Sequence, residues 1–224
     1  MAQLCGYVAE KTHYEHGESS LAQAIIGMAQ DFVGANNLPL LSKDGQFGSR
    51  IAGGKDAASP RYVFARLAPL ARLLFPPADR SLADARSVDG HGVEPEYFAP
   101  VLPMLLVNGC KSIGTGWSTA IPPHRPRDLA RWVVAWLRGA PAPNLKPWFA
   151  GFEGEVVDRM DGSYVSCGRF TQTPDRVVIT ELPVGVWTDA YKEWLEKQTR
   201  FKRLVNQSTV DRVHFEVARD PDAP

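Results

Sequence analysis

Residues 42–77 read SKDGQFGSRIAGGKDAASPRYVFARLAPLARLLFPP, and two kinds of chain meet inside them. The first half carries Gly45, Gly48, Gly53 and Gly54 among small and charged residues. That pattern predicts an exposed loop, or a pair of short strands with tight turns, over 42–58. Next, Tyr62, Val63 and Phe64 favour extended backbone and predict a strand over 61–67. Pro69 suits the first turn of a helix and would break its interior. A short helix is therefore expected over 69–75, closed by Pro76 and Pro77.

Working outward, Leu21, Ile25, Met28, Ala29 and Phe32 recur at helical spacing and predict a core helix over 18–34. Ser19 and Ser20 stand near its start, and Gly34, Asn36 and Asn37 stop it. Residues 78–93 read as a loop with a short helix, ending in SVDGHG. Beyond it, strands are expected over 101–107, 156–157, 164–169 and 176–181, and helices over 125–137 and 188–197. Helices and strands are interspersed without a repeat, so the fold class is α+β, with one boundary near 80–93.

The 224 residues suffice for one large or two small domains. Apolar residues make up 44% and charged residues 22%, which argues against disorder along the whole chain. Three cysteines, Cys5, Cys110 and Cys167, are too few and too widely spaced for a disulfide framework or a zinc site. No apolar run approaches the length of a membrane span, and the first residues lack a basic stretch followed by an apolar one. The formal charge is zero overall but uneven. Over 43–76, six basic residues face Asp44 and Asp56, a net +4; over 111–148, six face Asp128 alone, a net +5. Two basic surfaces in a neutral chain are compatible with phosphate contacts.

Arg61-Tyr62, behind the basic glycine loop, is the pair that suggests chemistry. A tyrosine hydroxyl is a weak nucleophile while protonated. An adjacent guanidinium favours the phenolate and can stabilise added negative charge on phosphorus. Such a pair suits attack on a phosphodiester, although an Arg-Tyr dipeptide alone carries little specificity. Gly114-Thr115-Gly116 is no dinucleotide loop, because the third glycine and the strand–helix context are missing.

GQFGSR, GGKDAASPRYVF and LARLLFPP together closely resemble the active-site region of type IIA DNA topoisomerases, the eukaryotic topoisomerase II in particular. YEHGESSL at 14–21, DFVGANNLPLL at 31–41, VEPEYFAPVLPMLLVNG at 93–109, SIGTGWSTAIP at 112–122 and ITELPVGVWTDAYKE at 179–193 extend the resemblance in the same order. It covers nearly the whole chain and is weakest at 78–92 and after 195.

The resemblance implies roles. Tyr62 matches the nucleophile that joins a cut 5′ end, Arg61 the arginine that stabilises the transition state, and His16 a histidine near the scissile phosphate. Tyr14 and Ser20 match DNA contacts on the helix and its entry, and Arg50 lies in the loop that approaches the DNA backbone. Ile113 matches an isoleucine that wedges between base pairs, and Trp187 a tower-domain contact to DNA. Physics is compatible with this: imidazoles donate to phosphate oxygens, hydroxyls at helix N-termini bind phosphates, and apolar wedges kink duplexes. Glu15-His16 stands where the family has two histidines, and Ser42-Lys43-Asp44 also departs from it.

The resemblance further implies the C-terminal part of a winged-helix domain over 1–80, then part of a tower domain over 81–224. Partners would be double-stranded DNA and a second copy in a homodimer, with no membrane, in a nucleus (or cytoplasm, for a viral or prokaryotic source). Magnesium ion and ATP would be bound by modules this sequence lacks. Its nearest carboxylate pair, Asp158 and Asp161, is not the D-x-D such a site needs, so no residue is expected to ligate a metal. The chain therefore reads as a fragment of a breakage–reunion core, inactive alone. Two other classes stay open: a non-catalytic DNA-binding relic, and a truncated product without a role.

Overall fold

The computed structural model describes residues 1–199 and 201–219. The fold is α+β, in two compact units. One comprises residues 1–31, 35–47 and 57–146; the other comprises 32–34, 48–56 and 147–224.

The first unit opens with helices α1 (Ala2–Thr12) and α2 (Glu18–Ala29). Leu21, Ala22, Ile25 and Ala29 of α2 bury one face against Cys5, Phe47 and Val63. The helix ends at Ala29, short of the expected residue 34, because Gln30 turns extended and the Asn36 side chain donates to the carbonyls of Gly27 and Gln30. That satisfies two oxygens the helix leaves free. Met28, expected in the core stripe, is 41% exposed, and Phe32 lies beyond the helix.

Strand β1 (Leu41–Asp44) pairs antiparallel with β2 (Phe64–Leu67), Leu41 opposite Leu67. The strand expected over 61–67 is shorter than predicted: Pro60–Tyr62 form a 3-10 turn, which the fixed φ of Pro60 favours. Helix α3 (Pro69–Leu74) follows, then a 3-10 turn over Pro77–Leu82 and a small hairpin of β3 (Ser87–Val88) and β4 (His91–Gly92).

The strand expected over 101–107 is corrected to helix α4 (Met104–Asn108), which starts at Pro103 and returns the Leu106 and Val107 amides to the Pro103 carbonyl. A short apolar run does not by itself separate strand from helix. Strands β5 (Cys110–Gly114) and β6 (Trp117–Ile121) form a two-stranded ribbon, and helix α5 (Pro126–Leu137) follows.

In the second unit, β7 (Glu155–Asp158) and β8 (Tyr164–Cys167) form a hairpin. The single strand expected over 164–169 breaks at Gly168, where a Cβ would stand 2.3 Å from the Glu181 carbonyl oxygen. The chain resumes as β9 (Arg169–Gln172) in another sheet. That sheet runs β11 (Phe201–Asn206), β12 (Phe215–Arg219), β10 (Arg176–Glu181), β9, all antiparallel neighbours. Phe215 and Val217 alternate with Glu216 and pair with Ile179 and Val177, as a sheet with one buried face requires. Helix α6 (Thr188–Glu196) packs Thr188, Tyr191 and Leu195 inward at i, i+3, i+7. No described helix is long and apolar enough to cross a membrane.

Candidate functional site

Tyr62 ends the 3-10 turn, its amide donating to the Ser59 carbonyl at 2.9 Å. The next residue, Val63, is buried in the first core. Clamped on both sides, Tyr62 still leaves 69% of its surface exposed, the opposite of what an aromatic gains by packing. The Arg61 guanidinium stands over its ring, 5.4 Å from the centroid. Arg61, expected as the stabilising group, is thus in contact with the ring of Tyr62, expected as the nucleophile.

The α1–α2 turn carries the next group. Gly17 precedes α2 with φ 84°, which a side chain would strain. His16 meets Tyr14 edge-on at 5.4 Å between centroids. Tyr14 packs on the same core as Val63, so one hydrophobic cluster supports both the turn and the residue after Tyr62. Ser20 is exposed in the first turn of α2, and no side chain caps that helix. Its first amides therefore remain available to an anion.

Ile113 lies on the β5–β6 ribbon, in which every residue from Lys111 to Ala120 is exposed. Ile113 itself is 90% exposed, which removes any core role. Sequence reasoning missed Trp117, 82% exposed on the same ribbon. Ile113 pairs with Ser118 and Trp117 with Gly114, so the two project to opposite faces. The available signal was a large aromatic directly after the turn glycine Gly116.

Arg50 and Trp187 belong to the second unit and are differently placed. Arg50 is 5% exposed, and its Nη2 pairs with Glu181 and donates to the Leu182 carbonyl at 3.0 Å. The Arg50 guanidinium, expected near a DNA backbone, is used inside the fold in this structure. The Glu181 carboxylate also accepts from the amides of Leu182 at 2.8 Å and Glu153 at 3.0 Å, so the buried charge is well bonded. The Asp56 carboxylate closes the same loop, accepting from the Ser49 amide at 2.8 Å and hydroxyl at 2.5 Å. Trp187 is half-buried, edge-on to Phe32, and covers Gly53 so closely that a Cβ there would come within 2.3 Å of the indole.

Among the described residues, no three of His, Cys, Asp or Glu gather into a group that could hold a metal ion. Asp161 instead accepts from Ser163, which holds its carboxyl below the usual range. The magnesium ion implied by the resemblance therefore fits no cluster among the described residues.

The sequence pattern of the DNA gyrase/topoisomerase IV A-subunit family matches residues 1–223. The chain is 49% identical over 194 residues to a DNA topoisomerase 2 of Bombyx mori, covering 86% of this chain and 12% of that protein. It is 46% identical over 201 residues to one from Arabidopsis thaliana, covering 88% and 14%. The crystal structure of the Plasmodium falciparum topoisomerase II DNA-binding, cleavage and re-ligation domain superposes with a TM-score of 0.95 at 40% identity, over 98% of this chain and 31% of that one. The chain thus spans roughly an eighth of the length of those two curated relatives.

Proposed function

The chain belongs to the DNA gyrase/topoisomerase IV A-subunit family, and on that footing we propose that it forms part of a topoisomerase II breakage–reunion core. The Tyr62 oxygen attacks a backbone phosphorus, the bond to the 3′ oxygen breaks, and the 5′ end remains on the tyrosine. The phenol gives up a proton and the departing 3′ oxygen gains one. Religation reverses both transfers, so no water or oxidant is consumed. Arg61 stabilises the charge that builds on phosphorus. His16 donates to a phosphate oxygen, and Tyr14 and the N-terminal turn of α2 at Ser20 hold the backbone. Trp187 is a further DNA contact in this reading.

The whole enzyme would act as a homodimer on double-stranded DNA in the nucleus, pass a second duplex through the break, and use ATP and magnesium ion held elsewhere. In this reading residues 1–80 are part of a winged-helix domain and 81–224 part of a tower domain. One observation carries the proposal: a clamped yet exposed Tyr62 with a guanidinium over its ring. The test is a chimaera in which residues 1–224 replace the matching stretch of the Bombyx mori enzyme. It should relax supercoiled plasmid and leave protein linked to 5′ ends. A folded chimaera that binds DNA but never forms the link would refute the proposal.

Ile113 is the proposed wedge. Unstacking one base step costs a few kcal/mol, offset by apolar contact and by the surface that bent DNA can reach. Ile113→Ala should therefore reduce bending and cleavage, with flexible pyrimidine–purine steps preferred at the insertion point. Because the side chain is exposed, stability should change by less than about 0.5 kcal/mol. Fluorescence transfer between dyes at the two ends of a short duplex reads the bend. An end-to-end distance identical for the Ala variant would remove Ile113 from this role.

A further inference from the structure

Helix α5 buries Leu129 and tucks Trp132 and Val133 partly inward. Its far side carries Arg127, Arg131 and Arg138, all exposed, four and seven residues apart. At 3.6 residues per turn these fall on one line, spaced about 6 and about 10 Å along the axis. They border an open groove of about 510 Å³ floored by Val134 and small alanines. Arg131 makes a loose pair with Asp128 at 3.4 Å, while Arg127 and Arg138 make no ion pair among the described residues.

The stripe does little for the helix. Arg127 sits in the first turn, where the helix dipole disfavours a cation. Arg127 and Arg131 are like charges one turn apart, which repel. The dipole favours only Arg138, at the C-terminal end. A feature that works against its own element, on an exposed face, points to an external partner.

We propose that this face of α5 is a phosphate-binding stripe that engages the backbone of duplex DNA, extending the contact beyond the Tyr62 region. This rests on the DNA-binding reading above. The stripe lies in the same compact unit as Tyr62 and Ile113, within the segment of net charge +5. Guanidiniums in a row suit phosphate oxygens, which they can clasp in pairs.

The test compares the full chain with its Arg127→Gln/Arg131→Gln/Arg138→Gln variant on a long linear duplex over a range of salt. Gln keeps the helix and the stem of each side chain while removing the charge. The log–log slope of affinity against salt should become shallower by about 2 to 3, since each lost phosphate contact removes about 0.9. The melting temperature should hold or rise, whereas a structural role would lower it. An unchanged slope overturns the stripe, and so would polyglutamate binding that the variant alone loses, which assigns the face to an acidic protein. If the unaltered chain binds no duplex at any salt, the DNA-binding reading itself falls.

Discussion

Tyr62→Phe should abolish covalent protein–DNA adducts in the chimaera while leaving DNA affinity within about 1 kcal/mol, because the lost hydroxyl is one modest contact. The ring stays, and with it the packing under Arg61 and the link to buried Val63. Only the attacking oxygen disappears. Denaturing electrophoresis of labelled duplex distinguishes the outcomes: adducts persisting in the Phe variant would mean that another residue attacks. Arg61→Ala should leave the adduct possible but slow its formation by about 10²–10³, the usual loss for one donor aimed at developing charge. A cleavage rate unchanged by that substitution would take Arg61 out of the transition state.

Arg50→Ala should lower unfolding free energy by about 3–5 kcal/mol, read from chemical denaturation, because it strands the Glu181 carboxylate in the interior. Domains of ordinary stability hold about 5–15 kcal/mol in total, so the variant should be marginal at body temperature. An exposed DNA contact would behave in the opposite way, with denaturation unaffected and affinity reduced. A denaturation curve superimposable on that of the unaltered chain would show that the ion pair contributes nothing.

The contrast between Tyr62 and Arg50 shows what the sequence made legible. Around Tyr62 the strand was legible from the apolar residues that follow it, whereas the turn that Pro60 sets was not, and the expected strand began three residues too early. Helices α5 and α6 were likewise readable, since each repeats its apolar residues at helical spacing over a sufficient length. Arg50 was read as part of a basic loop because its partner is 131 residues away, beyond any local pattern. The same cause hid β11 and β12, whose pairing with β10 decides their state more than their composition does. Helix α1 escaped for another reason: it has no acidic first turn and no side-chain cap, so nothing marks where it begins. Ile113 had its role from resemblance alone, and only its exposure separates a projecting residue from a packed one.

The dispersal of the second unit also matters for how the chain is made. Its loop over 48–56 leaves the ribosome long before Glu181, Trp187 and the sheet that receive it. At about 5–20 residues per second, Arg50 waits on the order of ten seconds for its carboxylate. Throughout that interval the loop must stay hydrated and free of wrong partners, which small and charged residues favour and a more apolar loop would not. Glycines and small polar residues, which bury little apolar surface, suit a segment that has to stay open until its cover arrives.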